Sequence, residues 1–300
     1  MDGRITPDWI ALDWGTSNLR GWAMQGSAVL ARARSADGMG SLEKGGYEAA
    51  LEALVKGWEV TPDTPVIACG MVGSRQGWTE APYRTVPCTP LSEAMVAAPT
   101  NVFDVRIVPG LRQNNPADVM RGEETQIAGF LSLNRNWDGV ICLPGTHTKW
   151  VQVSAGEVVS FQTYMTGELF ALLTDHSVLR HSLTGEGWEA EAFADAVSDS
   201  MSKPEKLAAR LFAIRADDLV HGMPPARSRA RLSGLLIGAE LAAARAYWLG
   251  MNVAIVGATE LASAYEEALR QQGVPATVAD AERMTLAGLT EAYRQLEHAT

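Results

Sequence analysis

Two short segments carry the residue types that hold phosphates. Gly15-Thr16-Ser17-Asn18 and Gly145-Thr146-His147-Thr148 each follow a short apolar run and precede a second strand-like run, so each reads as a tight bend between strands. Such a bend points backbone N–H groups and hydroxyls into one concavity, and these nests bind anions. Gly15 lets a ligand approach the backbone without a Cβ in the way. Thr16, Ser17 and Asn18 add short donors. Asp13, ending the first strand, faces the same concavity and is a candidate to hold Mg2+ through water. Asp13 and Asn18 are equally suited to capping a turn. Leu12–Arg20 and Cys142–Trp150 share the order strand, Gly-Thr turn, strand, which suggests a duplicated domain whose two turns clamp a triphosphate from both sides.

Other phosphate devices are missing from the chain. It contains no G-x-x-x-x-G-K-[ST] and no G-x-G-x-x-G, so a P-loop, a dinucleotide fold and a protein-kinase glycine loop lack support. The Gly-Ala-Gly-Asp turn of ribokinase-like kinases is absent too. Without H-E-x-x-H, close Cys/His clusters or G-x-S-x-G, zinc chemistry and a hydrolase elbow are unsupported. Only His147 of the five histidines sits in a motif.

The elements that must hold these turns follow from periodicity. Strands are expected over 9–14, 19–24 and 28–34, a helix over 47–58, a buried strand over 64–69, loop through 73–101, a strand over 102–108 and a helix over 123–134. The pattern then restarts with strands at 139–143, 149–153 and 158–164. Helices follow at 168–180, 190–201, 205–217 and 230–249, then strands at 253–256 and 276–279 alternate with helices at 261–272 and 282–296. This alternation implies an α/β protein with two layered sheets. The loop 109–116 is the expected boundary, giving domains 1–115 and 116–300.

Composition narrows the function. The 300 residues are 47% hydrophobic, enough for a real core. With 35 acidic and 25 basic residues, the net charge of −10 disfavours nucleic acid and anionic membranes as partners. Cys69, Cys88 and Cys142 are widely spaced and odd in number, which fits a reducing cytoplasm better than a disulfide framework. The N-terminus lacks an apolar h-region, and the apolar stretch 232–258 is interrupted by Glu240 and Arg245, so neither a signal peptide nor a membrane span is expected. A homo-oligomer is left open.

Six blocks in order make a resemblance specific: DWGTSNLR, ACGMVGSRQGW, PADVMRGEETQIAGF, LPGTHTKW, TGELFALLTDHSVL and SGLLIGAEL. From Leu12 to about Ala258 the chain resembles the 2-dehydro-3-deoxygalactonokinase family, sugar kinases sharing the actin/hexokinase/Hsp70 ATPase fold. The resemblance implies two actin-like (ribonuclease H-like) domains with a nucleotide cleft between them. It also implies ATP-dependent phosphorylation of 2-dehydro-3-deoxy-D-galactonate at its terminal 6-hydroxyl, a step of galactonate catabolism.

Under that resemblance, Asp13, Gly15, Thr16, Ser17 and Asn18 form the first phosphate loop, and Gly145, Thr146, His147 and Thr148 the second. Related kinases place a Gly-Asp-Gln block before the second loop, its Asp serving as base. Here the matching residues are Gly122-Glu123-Glu124 at a helix start, so Glu123 is the expected base, with Asp118 and Glu124 as rivals. A helix-start carboxylate also serves the helix dipole. The sugar acid's carboxylate calls for an arginine fork. Arg75 and Arg121 lead, with Arg20 third, while Ser74, Gln76 and Trp78 offer hydrogen bonds and a flat wall. Gly257-Ala258 stands where the fold uses Gly-Gly beside adenosine. Two rivals remain: a kinase of the same fold acting on another sugar, and a non-enzymatic nucleotide-dependent sensor or assembly protein.

Overall fold

The computed structural model describes residues 5–299. Strands β1 (Trp9–Trp14), β2 (Leu19–Gln25) and β3 (Ala28–Ser35) form a meander. Helix α1 (Tyr47–Val55), strand β4 (Pro65–Gly70) and two-residue strands β5 (Arg84–Thr85) and β6 (Val96–Ala97) follow. Next come β7 (Asp104–Ile107), β8 (Leu111–Asn114), β9 (Ala117–Met120) and α2 (Glu123–Leu133). The later half holds β10 (Gly139–Leu143), β11 (Thr148–Ser154), β12 (Glu157–Tyr164), α3 (Thr166–His176), α4 (Ala190–Ser202), α5 (Leu207–His221), α6 (Pro225–Ala243) and α7 (Arg245–Trp248). It ends with β13 (Val253–Gly257), α8 (Thr259–Gln271), β14 (Ala276–Asp280) and α9 (Ala281–Ala299).

The duplication read from the two Gly-Thr turns reappears as topology. One sheet runs β3-β2-β1-β4-β7, with β6 added at its edge, a second runs β12-β11-β10-β13-β14, and β5-β8-β9 form a small third. Strand β1 pairs antiparallel with β2 and parallel with β4, while β10 pairs parallel with β13. Each Gly-Thr turn therefore joins the central strand of its sheet to the neighbouring strand. Central strands covered on both faces read as unbroken apolar runs. The runs WIALDW and GVICL are buried almost throughout.

Packing divides the chain into two compact units. The first runs to Trp137 and adds Val153–Ser160 and the segment from Ala281; the second comprises Asp138–Gln152 and Phe161–Asp280. The expected boundary at 115/116 falls instead within the turn of a hairpin, since β8 pairs antiparallel with β9. Two contacts carry the first unit past that point. Helix α2 lies directly against α9: a Cβ on Gly129 would stand 1.9 Å from the Met284 carbonyl oxygen, and one on Gly288 would stand 1.9 Å from that of Thr125. Helix α9 also returns Leu289 and Ala292 to the core around Trp9 and Ile67, and Tyr293 stacks on Trp9 at 4.6 Å.

Two long helices expected from periodicity are each broken. The stretch 168–180 becomes α3 and a 3-10 turn, Val178–Ser182, because the Ser177 hydroxyl caps the Leu179 N–H and donates to the Leu173 carbonyl. The helix expected from 230 starts earlier, with proline in its first turn, and stops at Ala243.

Candidate active site

In the first unit, turn 15–18 is held from beneath. The Gly15 N–H donates to Asn18 O, while Met39 and Gly40 donate to Gly15 O and Thr16 O. A Cβ on Gly38 would come within 2.3 Å of the Thr16 carbonyl oxygen, so the chain crosses hard against the turn. With the carbonyls engaged there, the N–H groups of Thr16, Ser17 and Asn18 find no acceptor among the described residues. Three consecutive amides without a protein acceptor on an exposed bend are donors open to an anion. Arg34 steadies Asn18 through its side-chain oxygen at 3.0 Å.

Asp13 stands opposite Arg20 across β2 and opposite Cys69 across β4. Its Oδ2 accepts from Arg20 Nη2 at 2.5 Å, which commits Arg20 to the acidic centre rather than to a free fork. Burial raises the Asp13 carboxyl, Arg20 pulls it back, and the charges of Glu123 and Glu282 add to the rise. Strand β4 ends at Gly70 with φ +94°, where a Cβ would meet Trp14 O at 2.7 Å and Asp13 Oδ1 at 3.5 Å. The Gly122 Cβ position would lie 3.5 Å from the Gly70 Cα. The ends of β1 and β4 and the start of α2 thus meet around Asp13.

At that helix start the three candidate bases separate. Glu123 is half-buried, and its Oε2 accepts the Arg121 N–H at 3.1 Å. Glu124 is fully buried, taking the Gly122 N–H at 2.7 Å on one oxygen and the Thr125 hydroxyl at 3.0 Å on the other. A carboxylate so enclosed caps the helix and is closed to a substrate. Asp118 sits back on β9 opposite Gln113, with an oxygen on the Val119 N–H. Of the three, Glu123 combines exposure with closeness to Asp13.

The arginine-bearing loop splits likewise. Trp78 stacks on Tyr47 with centroids 5.8 Å apart and meets Trp14 edge-on at 5.8 Å; it is a core ring and not the flat wall expected of it. Arg121 is buried too: Nη2 donates to Ala81 O at 2.7 Å and its guanidinium lies over the Tyr83 ring, pinning the 73–83 loop to the start of α2. Arg75 is the exposed arginine, held by Glu80 at 3.7 Å. Ser74 is buried with its hydroxyl unpartnered among the described residues, and Gln76 is exposed.

In the second unit, turn 145–148 also presents free amides: those of Gly145, Thr146 and His147 have no acceptor among the described residues. Helix α3 backs it. A Cβ on Gly167 would overlap Gly145 O at 2.2 Å, and the Glu168 N–H donates to Thr146 O. His147 Nε2 meets Glu168 Oε2 at 2.5 Å, while Lys149 Nζ reaches the His147 carbonyl. The Thr148 hydroxyl is buried on Tyr265 at 3.0 Å and faces away from the bend. Gly257 is required where it stands, since a Cβ would meet Pro144 at 2.9 Å; exposed Ala258 then opens α8.

A family model described as 2-keto-3-deoxy-galactonokinase matches residues 13–292. The chain belongs to that family. A Rhizobium meliloti relative named as a probable 2-dehydro-3-deoxygalactonokinase is 40% identical over 95% of this chain and 96% of its own length. The 2-dehydro-3-deoxygalactonokinase of Escherichia coli is 35% identical over 98% and 99%. The crystal structure of a Sinorhizobium meliloti protein carrying the same kinase name superposes with a TM-score of 0.90 at 39% identity, covering 95% of this chain and 98% of that one. The fold is the actin-like ATPase type, and component A of Acidaminococcus fermentans (R)-2-hydroxyglutaryl-CoA dehydratase shares it with a TM-score of 0.57 at 14% identity, over 96% of this chain and 98% of that one.

For this galactonokinase-family chain, residue types alone do not single out Gly167, Glu168 or Tyr265 as contacts of the second turn. The block TGELFALLTDHSVL contains two of them, yet nothing local says that they converge there.

Glu124 has a measurable signature. Burial, with the Glu123 charge behind it, raises its carboxyl from 4.5 to about 7. Between those values the folded chain holds the extra proton, so this group's contribution to stability falls as pH rises through the window. In denaturant titrations, Glu124→Gln removes that trend, and the variant gains on wild type by on the order of 3 kcal/mol from the bottom of the window to the top. A stability difference that stays flat with pH would show that Glu124 is ionised in the fold throughout.

Proposed function

We propose that this chain transfers the γ-phosphoryl group of ATP to the terminal 6-hydroxyl of 2-dehydro-3-deoxy-D-galactonate, in galactonate catabolism in the cytoplasm. The observation that carries the reading is the pair of amide nests, one per unit, at equivalent places in two sheets of the same strand order. Phosphoryl transfer needs its oxygens clamped, its charge neutralised and the acceptor placed in line; it asks little covalent chemistry of the protein. In this reading each of the turns 15–18 and 145–148 holds phosphate oxygens, and Gly257-Ala258 support the adenosine. Glu123 takes the proton as the acceptor oxygen bonds to phosphorus, and ADP leaves with the electrons of the broken P–O bond.

Arg75, exposed and weakly held, receives the sugar acid's carboxylate, with Ser74 and Gln76 beside it. Asp13 suits Mg2+ held through water: its Oδ1 has no hydrogen-bond partner among the described residues, and Mg2+ sites are typically one or two carboxylates plus substrate phosphates. The ion would neutralise phosphate charge there. Among the described residues no helix is long and apolar enough to cross a membrane, and Cys69, Cys88 and Cys142 are free thiols.

The test offers the purified chain Mg-ATP with 2-dehydro-3-deoxy-D-galactonate, and separately with its gluconate-derived epimer, following product by phosphorus NMR. A 6-phosphate formed faster from the galactonate derivative is expected. Equal rates would remove the stereochemical assignment, and no phosphorylated product from either would reject the kinase reading.

A further inference from the structure

The mechanism leaves one buried acid without a task. Glu240 on α6 is 3% exposed, inside a core that includes Trp150, Ile237, Leu241 and Tyr265. Its Oε1 accepts from Trp150 Nε1 at 2.7 Å, while Oε2 accepts from the Tyr265 hydroxyl at 2.8 Å and from the Thr166 hydroxyl. Burial raises the Glu240 carboxyl and its hydrogen bonds to Thr166, Trp150 and Tyr265 lower it; in its carboxylate form it only accepts, so the Tyr265 proton then points to Glu240. The Tyr265 oxygen, 3.0 Å from Thr148 Oγ1, is then left to accept, and the Thr148 proton points inward. One carboxylate thereby orients a chain of three hydroxyls.

The ends of that chain are the two supports of the second turn. Thr148 closes the turn and opens β11. Thr166 opens α3, whose next residues, Gly167 and Glu168, lie against Gly145 O and donate to Thr146 O. We infer that Glu240 is a positioning residue for nucleotide: from behind, it fixes the end of the 145–148 turn and the start of α3 in one register, so that the three free amides converge on phosphate. This inference rests on the nucleotide role proposed for the turn. Glutamine is the informative replacement, since it keeps the shape but sets an NH2 group against groups that donate.

The experiment measures calorimetric binding of a non-hydrolysable ATP analogue to the full chain, alongside KM for each substrate. Glu240→Gln, folded by circular dichroism, is expected to weaken analogue binding about tenfold and to raise the KM for ATP in step, while the sugar-acid KM stays within about twofold. Tyr265→Phe cuts only the Thr148 branch and keeps the carboxylate; about threefold weaker binding is expected. It also carries the test should the first variant fail to fold. Wild-type affinity in a folded variant, or a parallel rise in both KM values, would overturn the inference. A wild-type chain that binds the analogue yet phosphorylates no sugar acid would sink the substrate assignment alone, the binding comparison still deciding Glu240. Absence of nucleotide binding by the wild type would overturn both.

Discussion

Glu123→Gln is expected to lower kcat by about 10²–10⁴-fold, the span that positioned proton transfer commonly contributes, and to leave the KM for ATP nearly unchanged. The argument begins at Gly122, whose φ of +103° turns the chain sharply into α2. That turn sends the first carboxylate toward Asp13 and the second into the core, where Glu124 is enclosed by the Gly122 N–H and the Thr125 hydroxyl. Glutamine in place of Glu123 still accepts the Arg121 N–H, so the helix start keeps its shape while the group loses its capacity to take a proton. Steady-state kinetics with both substrates check it. A variant turning over within about threefold of wild type would remove Glu123 as base, since general-base loss is larger than that. Glu124→Gln is the internal control: its effect is on stability against pH, not on the chemical step.

The parts of the fold that sequence made legible are those where one residue run answers to one physical demand. The run WIALDW must be a doubly covered strand, because six residues so apolar cannot lie at the surface. Gly15 and Gly145 mark bends because the chain reverses there between two strand-like runs. Illegible were the features decided by distant partners. Trp78, in a glycine-rich loop, reads equally as ligand wall or core, and only the positions of Tyr47 and Trp14 decide for the core. Arg121 reads as an open fork until Ala81 and Tyr83 are seen to enclose it. Hairpin β8–β9 lacks a hydrophobic face to announce it, because LRQN and ADVM bury only their outer ends. The unit boundary was hidden in the same way: α9 returns to α2 through Gly129 and Gly288, and neither glycine looks unusual in its own helix.

Asp13→Asn is expected to reduce kcat at least about hundredfold and to raise the Mg2+ concentration needed for half-maximal rate, while barely changing the melting temperature. The two halves of that expectation have separate causes. Burial already disfavours the charged carboxyl of Asp13, which Arg20 offsets; removing the charge therefore relieves one unfavourable interaction as it loses a favourable one. The amide keeps an acceptor for Arg20, so β1 and β2 stay paired through the Asp13–Arg20 position. Chemistry has no such compensation. In the proposed reading the carboxylate draws the Mg2+ that neutralises phosphate charge, and a neutral amide in this place does not. Kinetics across a Mg2+ titration, with calorimetric melting on the same samples, separate the outcomes. An unchanged Mg2+ dependence with depressed kcat would leave Asp13 as Arg20's counter-ion and move the metal elsewhere; an unchanged kcat would dissolve the acidic centre on which the first turn's role depends.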